Sequence, residues 1–170
     1  MITKNWKNYV NCVFEVGVGT NVGLLAVTNV AGTTYYISSA ASLNAGALTL
    51  SATSAGISVG TGNTTPTEND YNLEATITSG LSGTTTVVKS IDANGCPVIT
   101  YRLALSNTSA SDITIKEIGY KANIKCAASQ GATGNTDRTL LLDRTVLATP
   151  ITILAGGNAI IDYKITSVYS

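Results

Sequence analysis

The chain has 170 residues, 44% of them apolar and 12% charged, with ten basic residues balancing ten acidic ones and no histidine. Zero formal charge without any run of Lys or Arg argues against nucleic-acid binding, because neutralising phosphates needs a basic surplus. The missing imidazole excludes Ser-His and Cys-His nucleophiles and the common zinc ligand sets.

What remains suits strands and turns in a single domain over residues 1–170. Such a length can bury one core without metals or disulfides. With so few charges, Thr, Ser, Asn and Gly must cover the outside, and Thr and Val pack well on a pleated surface. Low net charge also weakens the self-repulsion that keeps copies apart, which favours association. Cys12, Cys96 and Cys126 are widely spaced and belong to no CxxC pair, so all three are expected as free, buried thiols. No apolar run has the length of a membrane span, and Asn8, Asn11 and Glu15 interrupt any signal-peptide pattern, so synthesis in a reducing cytoplasm and no membrane partner are expected. The Asn-x-Ser/Thr triplets at Asn63 and Asn107 are then turn chemistry.

Residues 1–16 predict an amphipathic helix. Trp6, Tyr9, Val10, Val13 and Phe14 recur at helical spacing, Lys4, Lys7, Asn8, Asn11 and Glu15 fill the other face, and Thr3 is placed to cap the start. The aromatic stripe serves either the protein's own core or a neighbouring subunit. Gly17, Gly19 and Gly23 have the wrong spacing and setting for a dinucleotide fingerprint and read as a loop. Val22 to Asn29 and Thr33 to Ser38 then predict a hairpin around Val30-Ala31-Gly32. Within the small-residue stretch from Ser39 to Gly56, ALTLSAT is the expected strand, followed by ISVG and the loop TGNTTP. Gly60-Thr61-Gly62 lacks the Lys-Ser/Thr of a phosphate loop.

Thr67 with Asp70 three residues on resembles a capping box and predicts a short helix over ENDYNLE. Glu68, Asp70 and Glu74 are oxygen donors suited to calcium in type, but the twelve-residue loop pattern with its glycine is absent. No metal or other cofactor is expected. Ten dispersed carboxylates leave open a two-carboxylate glycosidase, although nothing in their spacing makes a pair converge.

The second half carries the plainest strands. Thr84 to Ser90 and Cys96 to Ser106 flank IDANG, whose Asn94-Gly95 predicts a type I′ hairpin turn. Ile99, Tyr101, Leu103 and Leu105 alternate with Thr100, Arg102 and Ser106. In ITIKEIGY, Ile118 breaks the parity of Ile113 and Ile115, and a β-bulge near Lys116 or Glu117 is expected to restore it. Cys126 to Arg138 predicts an exposed loop and TLLLDRTVL a strand buried on both faces. ITIL and AIIDYKITSVY then predict a final hairpin across AGGN, with Ile161, Tyr163 and Ile165 on one face and Pro150 at a strand start or edge. Eight to ten strands with frequent turns give an all-β fold, an antiparallel β-sandwich or jelly roll with an N-terminal helix.

Three stretches, ISVGTGNTTPTENDYNLEATI, SNTSASDITIKEIGY and LLLDRTVLATPITILAGGNAIIDYKIT, with the opening MITKNWKNYV, resemble in pattern and order a group of small virion structural proteins of tailed bacteriophages. The resemblance implies a non-enzymatic capsid auxiliary, decoration or head-fibre component. It would be located in the virion, partnered by the major capsid protein or other virion proteins, and homo-oligomeric, with a trimer as one possibility. Trp6, Tyr9, Val13, Tyr35 and Tyr36 are the residues expected at the assembly interface. The alternative is a tail-associated or surface module in which Tyr35, Tyr36, Tyr163 and Tyr169 stack on glycans.

Overall fold

The structure is a computed structural model that describes residues 1–15, 26–37, 54–129 and 136–166. It is all-β with antiparallel sheets and a short N-terminal helix, as the composition leads one to expect. In chain order the elements are α1 (Lys4–Glu15), β1 (Ala26–Thr28), β2 (Thr34–Ile37), β3 (Gly56–Gly60), β4 (Leu81–Ile91), β5 (Pro97–Asn107), β6 (Ile113–Ala127), β7 (Thr136–Ile153) and β8 (Asn158–Thr166). The chain divides into two compact units, Met1–Thr78 with Ile115–Ile151 and Ser79–Thr114 with Thr152–Ser170.

In the first unit β6 is the spine. It pairs with β2 through Ile37 and Cys126, with β3 from Glu117 to Lys121, and with β7. Ile57, Val59, Ile118, Tyr120, Ile124 and Leu140 are buried around it. The β3–β6 register runs unbroken through Ile118, and both faces of β6 are buried there. Ile115 and Ile118 are both buried.

The first hairpin forms as expected, with Val27 opposite Tyr35. Its turn is held by Asn29, whose Oδ1 accepts from Ala31 and Thr33 N–H, while Gly32 takes φ 81°. A left-handed backbone there suits only glycine without strain.

Parts of the outer edges of this first sheet are covered. Thr3 N–H donates to Leu142 O and Val30 N–H to Thr139 O along β7, and residues 75–77 add to β3 through Thr61 N–H to Ala75 O and Ile77 N–H to Val59 O. Helix α1 bonds β1 through side-chain amides. Asn5 Nδ2 donates to Thr28 O while its Oδ1 accepts from Thr28 N–H, imitating a strand neighbour, and Asn8 Nδ2 donates to Ala26 O. Thr3 does not cap the helix. Its hydroxyl is buried and donates to Leu141 O at 2.7 Å.

The second unit is a three-stranded antiparallel sheet, β4-β5-β8, whose last two neighbours are not consecutive in the chain. Leu81, Tyr101, Leu103, Leu105 and Ile161 are buried on one face, in the alternation read from the sequence. Cross-strand partners Leu103–Ile161 and Tyr101–Tyr163 continue that face into β8. The β4–β5 turn departs from expectation. Gly95 has φ 79° but Asn94, like every other non-glycine among the described residues, does not take positive φ, so it cannot occupy a type I′ turn. Asp92 Oδ1 instead accepts from Asn94 and Cys96 N–H and fixes a longer turn. The final hairpin is also corrected, because β8 forms its ladder with β5 and not with the ITIL segment, which continues β7 through the exposed Pro150.

The strand expected at ALTLSAT and the glycine loop at 17–23 lie outside the described residues. Cys126 and Ala127 are buried at the end of β6, not in a loop, because β2 pairs with them.

Candidate functional site

The carboxylates that the sequence offered to calcium are held by the protein's own cations and backbone. Arg144, on β7 and buried, donates from Nε to Glu117 Oε2 at 2.8 Å and from Nη1 to Asp70 Oδ2 at 2.7 Å. Its Nη2 reaches Thr64 Oγ1 at 3.2 Å and Glu74 Oε2 at 3.4 Å. Glu68 pairs with Lys7 at 2.6 Å. Among the described residues no group of carboxylates and thiols is placed to hold a metal ion.

Glu117 is fully buried on β6, and backbone donors surround it: Gly62 and Ala75 N–H reach its Oε1 at 3.1 and 2.8 Å, and Glu74 N–H reaches Oε2 at 3.2 Å. The Gly60-Thr61-Gly62 segment is the cradle for that carboxylate. A Cβ on Gly60 would stand 2.5 Å from Glu117 Oε1, and one on Gly62 would stand 2.6 Å from it. The segment 68–74 forms no helix because Glu74 and Ala75 give their N–H groups to Glu117. One bond of the expected capping box forms, Thr67 N–H to Asp70 Oδ2 at 3.1 Å, but the Thr67 hydroxyl donates to Asp70 Oδ1 at 2.8 Å and Asp70 N–H goes to Thr67 O instead of to that hydroxyl.

Burial pushes the Asp70 carboxyl up, but the bonds from Arg144 and Thr67 outweigh it and hold the group below its ordinary range. The Thr64 and Asn63 donors hold Glu74 down as well. Burial lowers the Lys121 ammonium to about 8, with nearby Glu117 opposing the shift.

Above this network lies a polar recess of about 470 Å³, lined by Thr64, Asn69, Asp70, Asn72, Glu74 and Arg144 with Tyr71. Tyr71 is 45% exposed and also lines a second recess beside Lys4 and Thr34. The sequence reading passed over Tyr71, since a lone tyrosine in a polar segment has no periodicity to set it apart.

The residues expected at an assembly interface are gathered in the first unit. Trp6 and Tyr9 are half-buried and lie against each other, ring centroids 6.1 Å apart. Val13 lies in α1, with its side chain outside the described residues. Tyr35 and Tyr36 are half-buried on β2, and the Arg138 guanidinium sits 4.3 Å from the Tyr35 ring centre. Tyr163 is half-buried beside Tyr101, and Tyr169 lies outside the described residues.

The second unit holds a feature of another kind. Strand β4 pairs with β5 over all its eleven residues, from Leu81–Asn107 to Ile91–Pro97, and has no other strand partner among the described residues. It is exposed on both faces from Ser82 onward except for the half-buried Thr85. Val87, Val88 and Ile91 are 49%, 47% and 73% exposed. Asp92 N–H donates to Cys96 O and Thr108 N–H to Gly80 O, so the even-numbered residues of β4 face β5. The odd-numbered residues of β4 therefore turn their N–H and C=O groups away from β5, toward the side on which no strand lies among the described residues. No proline and a single charge guard that edge.

Comparison of the chain with family models, curated proteins and solved structures found no match.

Proposed function

We propose that this chain is a non-enzymatic structural protein that works by packing into a larger protein assembly, and that the assembly is a bacteriophage particle. The observation that carries the assembly reading is the open β4 edge. The first unit covers parts of its sheet edges with residues 2–3, residues 75–77 and the Asn5 amide, whereas β4 in the second has, among the described residues, a strand partner on one side only. A free edge of this length is a template for strand addition, by which main-chain bonds join one protein to another.

The virion setting is supported by the resemblance in pattern and order described above. The non-enzymatic reading is supported by the absence of histidine and by the engagement of Asp70, Glu74 and Glu117 with Arg144. In this reading the chain decorates or bridges major capsid subunits, and repeated weak contacts on a symmetric shell add up to firm attachment. Purified chain added to particles that lack it should bind saturably, with a fixed copy number per shell. Binding to tails alone would move the protein to the tail, and binding to neither would contradict the virion reading.

Tyr71 favours a second reading, a glycan-binding surface module. An exposed ring beside Asn69, Asp70 and Glu74 offers a stacking face together with acceptors for sugar hydroxyls. A glycan array separates the two. Saturable hits lost in the Tyr71→Ala chain would support recognition, and a silent array would leave the structural reading alone.

A further inference from the structure

We infer that Asn94 is a self-modification site. The Gly95 nitrogen closes on the Asn94 side-chain amide to give a succinimide, which water opens to aspartate or isoaspartate, at a rate set by the bonds that Asp92 makes to the turn.

The sequence singles out this position, since Asn94 is the one asparagine of the chain that a glycine follows. With no side chain on the next residue, nothing crowds the approach of its nitrogen to Cγ. The surroundings add no obstacle, because a Cβ built on Gly95 would meet no atom within 4 Å. Asn94 and Gly95 are both exposed in the connection between β4 and β5, so water reaches the amide and the ring that replaces it.

The reaction balances without an enzyme or a cofactor. Gly95 N attacks Asn94 Cγ, a C–N bond forms, the Cγ–Nδ2 bond breaks, and the Gly95 N–H proton leaves with Nδ2 as ammonia by way of water. Water then adds to either carbonyl of the five-membered ring. Addition at Cγ leaves an aspartate in an ordinary main chain. Addition at the main-chain carbonyl leaves an isoaspartate, whose main chain runs through Cγ and is one methylene longer.

The turn holds this reaction back. Gly95 N–H donates to Asp92 O at 3.0 Å and Asp92 N–H donates to Cys96 O at 2.9 Å. Asp92 Oδ1 also accepts from Asn94 N–H at 2.9 Å and from Cys96 N–H at 2.8 Å. Ring closure requires the Gly95 N–H to leave Asp92 O and its nitrogen to swing toward Cγ. The folded chain therefore reacts from the opened turn, and Asp92 sets how often that opening occurs.

The products differ from the parent where it shows. An aspartate at position 94 takes the formal charge from zero to minus one and puts a second carboxylate beside Asp92. An isoaspartate moves the buried Cys96 relative to the Asp92 carboxylate that holds its N–H. Both changes fall at the Ile91–Pro97 end of the β4–β5 ladder, where Ile91 is 73% exposed. Older copies carry more of each.

Peptide mapping by mass spectrometry, on the full chain incubated at mildly alkaline pH, tests both the site and its gate. The mass gain of an acid over an amide should collect at Asn94 before any other asparagine. Asn94→Gln should gain none at that position over the same period, because the larger ring closes more slowly. Asp92→Ala, with unchanged far-ultraviolet dichroism, should convert on the order of tenfold faster, the factor by which losing a hydrogen bond to a charged group favours opening. The parent chain unfolded in guanidinium chloride needs no variant and should convert faster than the folded chain by at least as much. An Asn94 that stays intact in both states, or other asparagines reacting ahead of it, would overturn the site. Equal rates in folded and unfolded chain, or an Asp92→Ala chain that reacts at the parent rate, would overturn the gate.

Discussion

Glu117 Oε2 and Arg144 Nε stand 2.8 Å apart with both side chains buried, one on β6 and the other on β7. Each group also has other partners, so the pair is a node that ties the segment 62–75 to the sheet. Removing one member leaves the other charged and desolvated. Arg144→Met should therefore lower the unfolding free energy by about 3–5 kcal/mol. Arg144→Lys should recover only part of that, because an ammonium cannot span Glu117, Asp70 and Thr64 as the planar fork does. Urea titration followed by tryptophan fluorescence checks both.

The glycine cradle gives a prediction of a different origin. A Cβ on Gly60 would meet Glu117 Oε1 at 2.5 Å and the backbone oxygen of Ala75 at 2.6 Å, and the latter cannot swing aside. Gly60→Ala should cost about 2 kcal/mol through crowding. Gly95→Ala meets no atom within 4 Å but is held at φ 79°, so it should cost about 1 kcal/mol through the backbone alone. Gly95→Asn should be milder than Gly95→Ala, and Gly60→Asn worse than Gly60→Ala, in thermal melts.

Lys121 makes stability depend on alkaline pH. Its folded value of about 8 lies below the ordinary lysine value of 10.5, so between these limits the unfolded chain binds more protons than the folded one. Stability from this group therefore rises as pH increases through that window, by about 3 kcal/mol at most. Lys121→Met should flatten the rise. The check is a series of urea midpoints from pH 7 to pH 10.

Asp70 acts in the opposite range. Its carboxyl is held below the ordinary value, so its contribution is present above the unfolded pKa and disappears as pH falls through the folded one. Asp70→Asn should be less stable than the parent at pH 7 and approach it at strongly acid pH, in the same titration extended downward.

Much of the fold was legible because period-two alternation is a direct print of one buried face. Tyr101, Leu103 and Leu105 were read correctly for that reason, as was the hairpin around Asn29 and Gly32. Alternation is silent where both faces are buried, so Ile118 carries no parity information there. Strand partners were misassigned where nearness in sequence competed with pairing, so β8 was given to ITIL when it pairs with β5. In helix α1 the Asn5 and Asn8 amides bond β1, and hydropathy does not register a side-chain amide imitating a strand. The Arg144 network joins residues up to 80 positions apart, and no local spacing announces it. The open edge of β4 was invisible because a sequence shows which strands exist but not which one lacks a neighbour.

The central claim, that the chain functions by packing its open strand against protein within a phage particle, is tested most directly by an electron-microscopy map of that particle. The account predicts density for the chain at fixed symmetric positions, with another strand roughly 4.8 Å from the outer edge of β4. Particles without the chain, or with β4 facing solvent along its whole length, would contradict it.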